Sequence, residues 1–235
     1  MIDNLNNPSK KHTNRKLHNW LVYNLNDKFL FKLNNLLKGD VFDLGCGESP
    51  YKEFFLNYAD NYIGVDWQGS PHKTRETILA DLNKTLPIES NIADTAVSLS
   101  VLEHLYNPQI MINEAYRILK PNSHLIMQMP WQWTIHEAPH DYYRYTPFAL
   151  TRFLENTGFV DINIEAQSGY FTTAILKWNY FTARFTHGNK LSRKLLKLCL
   201  IPFWYIGQKL APYFDKFDKN WGAETIGFFV TARKP

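Results

Sequence analysis

A chain of 235 residues, 45% hydrophobic and 20% charged, is long enough for one α/β domain with a sizeable core and somewhat longer than a minimal sheet of that class needs. Cys46 and Cys199 fit neither a metal-ligand spacing nor a disulfide framework, and residues 1–8 lack the apolar core of a signal peptide, so a cytoplasmic protein is expected. The net charge of +4 is uneven: residues 184–219 hold eight Lys or Arg against Asp215 and Asp218, leaving −2 for the rest of the chain, which includes a small basic cluster at Lys10, Lys11, Arg15 and Lys16.

Residues 17–37 carry Leu21, Leu25, Phe29, Leu33 and Leu36 at helical spacing, closed by Lys38 and Gly39, so residues 1–38 read as an N-terminal helical segment ahead of the main domain, 39–235. Strands and helices then alternate. Strands are expected at 40–44, 61–66, 77–81, 95–100 and 124–129, with a helix over 51–58 capped by Ser49 and Pro50 and another over 108–119. A helix over 146–156 ends at Gly158, an alternating strand covers 160–166, and a last strand covers 225–232. Repeated β-then-α units imply a mostly parallel, right-handed sheet, with the two closing strands forming an antiparallel pair at one edge. Residues 167–222 are too long for a hairpin loop and are expected to be an inserted helical subdomain.

After the first strand comes Asp43-Leu44-Gly45-Cys46-Gly47, a glycine turn of the kind that lets a ligand approach backbone at a helix N-terminus. A dinucleotide loop would place a third glycine where Pro50 stands, and Glu48 would face a pyrophosphate. Asp43, Glu48, Asp66 and Asp81 all fall at or just beyond strand C-terminal ends, which suits the sulfonium and ammonium of S-adenosyl-L-methionine better than NAD. Asp66 stands where an acid accepts bonds from ribose hydroxyls, Trp67 beside it can pack on adenine, and Asp81 is in reach of the exocyclic amine.

The ordered set Asp43 to Gly47, Gly64-Val65-Asp66, Ala80-Asp81-Leu82, Ser100-Val101-Leu102-Glu103-His104-Leu105 and Glu114-Ala115-Tyr116-Arg117-Ile118-Leu119-Lys120-Pro121 resembles class I methyltransferases of the type 11 group. The resemblance implies a Rossmann-like methyltransferase fold of seven strands and S-adenosyl-L-methionine as cofactor. It also implies that Gly45 and Gly47 approach the methionine portion, Asp66 holds the ribose, Asp81 and Leu82 flank the adenine, and Ser100 lines the cofactor. The chain departs from many relatives after Gly47, where Ser49-Pro50 replaces a further glycine.

His136-Glu137-Ala138-Pro139-His140 spells the zinc-protease pattern HExxH, which requires both histidines on one helix face; Pro139 opposes that helix, so no metal is expected from it. The segment follows the fifth strand and shares the cofactor's sheet edge. His-Asp-Tyr-Tyr-Arg-Tyr-Thr at 140–146 resembles methyltransferases of bacterial surface-glycan pathways, which implies a glycan or other small acceptor, methylated at oxygen. A hydroxyl acceptor needs a base, for which His136 and His140 are candidates, with Asp141 orienting one of them and Arg144 holding an anionic group. His104 reads as a structural residue opening a helix.

Residues 190–213 mix lysines with Leu, Phe, Trp and Tyr; the uncharged run 198–208, broken by Pro202, is too short to span a membrane, but an interfacial helix at the inner face of an anionic membrane would fit, and with it a lipid-linked acceptor. No nucleic-acid motif is found. Two readings stand beside methyl transfer: a non-catalytic adenosyl-cofactor binder acting through the basic insertion, and an NAD-dependent oxidoreductase.

Overall fold

The computed structural model describes residues 8–70, 77–218 and 220–235, without the side chains of Lys11 and Trp221; Lys219, counted above in the basic segment, and most of residues 1–8 lie outside the described residues. Thirteen helices and strands of the described residues matter here. They are α1 (Trp20–Lys32), β1 (Asp40–Leu44), α2 (Lys52–Phe55), β2 (Asn61–Asp66), β3 (Ile78–Leu79), β4 (Ala93–Leu99) and α3 (Pro108–Ile118), followed by β5 (Leu119–Pro130), α4 (Pro147–Thr157), β6 (Val160–Ala166), α5 (Tyr170–Ala183), α6 (Leu191–Phe214) and β7 (Gly227–Arg233).

The strands form one seven-stranded sheet in the order β3-β2-β1-β4-β5-β7-β6. β1 is parallel to β2 and β4, β2 to β3, and β4 to β5, whereas β7 runs antiparallel to β5. The expected α/β class and parallel winding are observed, with the antiparallel strand set one place in from the edge that β6 forms. β1 is the switch point: successive connections leave it toward β2 on one side and β4 on the other, so the loops after β1 and β4 diverge and leave a crevice at the C-terminal edge.

The chain clusters into two compact units, one holding the sheet (Leu30–Glu165 and Gly227–Pro235), the other helical (residues up to Phe29, with Ala166–Ile226). In the sheet unit Val41, Leu44, Val65, Ala96, Val97, Leu125, Ile126 and Met127 are fully buried, and α3 adds Met111, Ile112, Ala115 and Ile118 from its apolar stripe. Each buried Val, Leu, Ile or Met among them contributes about 1.5–3 kcal/mol of hydrophobic stabilisation. α4 is bounded as its sequence dictates: Thr146 Oγ accepts the Ala149 N–H at 3.3 Å, and Gly158 closes the helix at φ +103°. Ser49, expected to cap the next helix, instead takes φ +52°, and the helix shortens to one turn after Tyr51. The tight exit from the glycine loop uses the residue that would have capped.

In the helical unit, the N-terminal segment and the insertion, which the sequence separates, are joined by buried polar side chains. Gln208, fully buried, accepts the Leu21 N–H at 3.0 Å and donates to the carbonyls of Leu17 and Trp204 at 2.9 Å each. Asn19 donates to Tyr180 Oη, and Asn179 donates to the His18 carbonyl. The helix α6 runs through Pro202 and Pro212 rather than breaking at the first of them. Proline removes one N–H and crowds the carbonyl a turn back; here that carbonyl belongs to exposed Leu198, where water can meet it.

The N-terminus of α5 has no side-chain cap of its own; Asp215, 46 residues beyond the cap position Gly169, accepts the N–H groups of Gly169 (3.0 Å), Phe171 (2.8 Å) and Thr172 (3.2 Å). Asp215→Ala is expected to orphan three donors, two of them buried, and cost about 2–4 kcal/mol. Urea denaturation checks it, and a loss under 0.5 kcal/mol would show that the helix finds another cap.

Candidate active site

The loop after β1 is clamped from beneath. The N–H groups of Gly45 (2.8 Å) and Cys46 (3.2 Å) both donate to the Val65 carbonyl on β2. Gly45 adopts φ +87° and Gly47 φ +50°, the left-handed region that an L side chain resists. A Cβ on Gly45 would lie 2.4 Å from Val101 Cγ2, so the loop also needs glycine for close approach to the β4 exit. Cys46 turns its buried side chain onto Gly64 of β2.

Asp66, at the end of β2, is buried and accepts the Gly47 N–H at 2.7 Å and the Trp67 N–H at 2.8 Å. These bonds orient the carboxylate across the loop mouth, and each oxygen can accept more than one bond. Asp43 is also buried and takes a 2.6 Å bond from Tyr62 Oη. Burial pushes its carboxyl up to about 7, the Tyr62 bond pulling back and nearby Asp66 adding to the rise. Two buried carboxyl groups set this close favour a ligand that brings positive charge and disfavour a pyrophosphate.

Ser100 leaves β4 at φ +56°, its N–H on the Gln128 carbonyl at 2.8 Å and its Oγ on Gln128 Oε1 at 2.6 Å, which pins the β4 exit to β5. Leu82 is buried. Asp81 is turned into its own bend, accepting the N–H and the side-chain amide of Asn83 at 2.9 and 3.1 Å with Lys84 Nζ 3.4 Å away. Burial raises its pKa, but those donors outweigh it and hold the carboxyl below its ordinary value.

Beyond β5, residues 131–146 fold back over the β4 exit without helix, which removes the geometry HExxH needs for zinc. The Tyr142 N–H donates to the Glu103 carbonyl at 2.8 Å, and Tyr145 Oη donates to the Leu102 carbonyl at 2.9 Å. His140 is exposed, its Nδ1 3.2 Å from Tyr142 Oη and its ring edge-on to Trp67 at 5.6 Å between centroids. His136 and His140, four residues apart, therefore face different neighbours.

His136 Nδ1 lies 3.2 Å from the Thr134 carbonyl and 3.4 Å from Asp141 Oδ2. Asp141 also accepts a two-pronged bond from Arg144, at 2.6 and 2.8 Å, and the His136 backbone N–H at 2.9 Å. Burial raises the Asp141 carboxyl, but the bonds from Arg144 and the His136 backbone prevail and hold it at about 2. Asp141 thus holds His136 through its backbone N–H and stands beside its Nδ1. Arg144 is committed to Asp141 and to the carbonyls of Thr134 and Tyr143, so its expected contact with an anionic group would compete with these bonds.

Sequence reasoning passed over Glu103, quoted only inside a motif. It is fully buried, and neither side-chain oxygen meets a partner beyond its own backbone N–H. Burial pushes it up to about 8; its backbone N–H and Arg144 pull back while Asp141 and Glu137 add to the rise. His104 does not open a helix but closes a short 3-10 turn, and its Nδ1 donates to the His140 carbonyl at 2.6 Å.

The helical unit has a cavity of its own of about 880 Å³, in whose lining Lys16, Lys197, Lys209 and His187 alternate with Trp20 and Tyr205.

Residues 42–127 match the family described as "Methyltransferase domain". Among curated proteins, a "Probable S-adenosylmethionine-dependent methyltransferase" of Mycolicibacterium smegmatis is 26% identical over 134 residues, 51% of this chain and 51% of the relative; the aligned region spans about half of that relative's length. A solved S-adenosylmethionine-dependent methyltransferase from Archaeoglobus fulgidus superposes with a TM-score of 0.57 at 16% identity, covering 91% of this chain and 94% of that one. Phosphoethanolamine N-methyltransferase 2 of Haemonchus contortus, solved with S-adenosyl-L-methionine, gives 0.58 at 18% identity over 99% of this chain and 59% of that one. Strand order and the solved neighbours agree on a Rossmann-like methyltransferase fold, and residues 42–127 are the part of the chain that is similar to the methyltransferase-domain family.

Proposed function

We propose that the protein transfers a methyl group from S-adenosyl-L-methionine to an oxygen of a small, glycan or lipid-linked acceptor. The observation that carries the donor half is the loop 45–47, which needs glycine and is tied to buried Asp66. The residues fit the cofactor: Gly45, the Cys46 backbone and Gly47 would meet its methionine portion near Asp43, Asp66 its ribose, Trp67, Asp81 and Leu82 its adenine, and Ser100 its flank. When bound, it supplies a methyl already activated by the adjacent sulfonium, so the chain's own task is alignment, exclusion of water and removal of the acceptor proton. S-adenosylhomocysteine is expected to raise the melting temperature where NAD does not; the reverse would favour the oxidoreductase.

For the acceptor half, the support is segment 131–146, which sets His140 against Trp67 and His136 against Asp141. His136, oriented by Asp141, is the better-placed base and His140 the alternative. His136→Ala is expected to lower turnover 100-fold or more with cofactor affinity unchanged, and His140→Ala less than tenfold. Near-normal rates in both variants would sink the base assignment.

The exposed face of α6 supports a lipid-side acceptor. Residues 191–199 are exposed throughout, including Leu191, Leu195 and Leu198, and the helix holds four Lys or Arg and no acid. No helix among the described residues is long and apolar enough to cross a membrane. Such a helix suits the surface of an anionic bilayer. The protein is expected to sediment with phosphatidylglycerol vesicles at low salt and to be released by Lys194→Glu with Lys197→Glu; no sedimentation at low salt would remove the membrane contact.

A further inference from the structure

We infer that Glu103, His104 and His136 form a binding site for a divalent transition-metal ion, of which Zn²⁺ is the type. Their ligand atoms all lie within 4.8 Å of one another. The tautomers follow from the neighbours. His104 Nδ1 faces a carbonyl, that of His140, and His136 Nδ1 faces the Thr134 carbonyl and the Asp141 carboxylate, so both Nδ1 atoms carry the hydrogen. In that tautomer each ring turns its Nε2 lone pair to the same oxygen, Glu103 Oε1, at 3.7 Å and 3.9 Å.

Three acceptor atoms thus converge on one point, and the carboxylate among them is wholly buried without a partner from any other residue. A proton on Glu103 does not resolve this, because 3.7–3.9 Å is beyond hydrogen-bond length. A metal at about 2.0–2.2 Å from N and O ligands separates them by about 3.3–3.6 Å, so the two Glu103–histidine pairs contract by a few tenths of an ångström, and the histidine pair, within 4.8 Å, by up to about 1.5 Å through side-chain rotation, to close the shell. The supporting bonds match: metal-ligating histidines donate their other N–H to a carbonyl or carboxylate, which fixes tautomer and ring angle.

Two histidines and one carboxylate leave a fourth position open, and the donor set selects a transition ion over Mg²⁺ or Ca²⁺. Glu137 Oε2, 3.8 Å from His104 Nε2, stands at that side. The ligand that would complete the shell is an oxygen donor: water, a hydroxyl or a carboxylate. The site differs from the HExxH reading, because His136 joins His104 from the β4 exit rather than His140. The inference stands whether or not the protein transfers methyl groups; with the ion bound, His136 Nε2 is occupied and the acceptor base passes to the alternative, His140.

The test is titration of tag-free, chelator-treated protein with Zn²⁺ by calorimetry, and with Co²⁺ by visible absorption. One equivalent is expected to bind, with the Co²⁺ bands of a tetrahedral site, and Glu103→Gln and His136→Asn are each expected to weaken binding at least tenfold while leaving the circular dichroism unchanged. Absence of a one-to-one isotherm in the native protein, or Zn²⁺ affinity equal to the parent's in both variants, would overturn the site. Stabilisation by S-adenosylhomocysteine, measured on the same metal-free sample, reports on the methyltransferase reading separately.

Discussion

Gly45→Ala is expected to destabilise the protein by about 2–4 kcal/mol and to weaken S-adenosylhomocysteine binding by tenfold or more. Two costs add. Holding an L residue at φ +87° costs about 1–2 kcal/mol, and the new methyl would overlap Val101, 2.4 Å from Cγ2 and 2.7 Å from Cγ1, for about 1–3 kcal/mol more. Relief by backbone movement is opposed because the Gly45 and Cys46 N–H groups are both held by the Val65 carbonyl. Urea denaturation at constant m value measures the stability, and calorimetry the affinity. Val101→Ala should recover the overlap cost in the double mutant but not the φ cost, a positive coupling of about 1–2 kcal/mol. A single mutant within 0.5 kcal/mol of the parent would mean that the loop is not confined as described.

Asp43→Asn is expected to flatten a pH dependence. In the folded protein the Asp43 carboxyl is pushed up to about 7, against an ordinary value of 3.8. Between those limits the native state holds a proton that the unfolded chain has lost, so this residue's contribution is greatest below pH 4 and falls as pH rises to 7. Fully expressed, the fall is about 4 kcal/mol. Asparagine can still accept the Tyr62 bond and carries no charge to bury, so the variant should match the parent near pH 4 and exceed it by about 2–4 kcal/mol at pH 8. Equal stability of the two proteins at pH 8 would show that Asp43 is not confined in this way. A ligand ammonium or sulfonium beside Asp43 favours its ionised form, so cofactor binding should release a proton between pH 5 and 7. In the variant that release should vanish and affinity should fall.

Where each level of information acted can be seen in particular residues. The β1 and β2 strands were legible to the residue, because a short apolar run ending in Asp-x-Gly or Gly-Val-Asp carries both its hydrophobic period and its stop. Helix α4 was legible for the same kind of reason, Thr146 and Gly158 marking its ends. By contrast, the cap on α5 comes from Asp215, far along the chain, and no local pattern could have announced it. Pro202 looked like a helix break, yet α6 continues through it.

The candidate site divides along the same line. The residues proposed to meet the donor sit at strand ends, and in a parallel sheet every strand end after a right-handed crossover lies on one edge, so spacing along the chain translates directly into proximity. The placement of Asp43, Gly45, Gly47 and Asp66 together at one sheet edge was therefore legible in the sequence. The surroundings of residues 131–146 were not. That segment has no repeating backbone bonds of its own to set its course; it is positioned by the Glu103 and Leu102 carbonyls and by Arg144 on Asp141. Only that tertiary path separates His136 from His140, seats it beside His104, and turns Glu103 from one letter of a motif into a buried carboxylate facing two bare nitrogens.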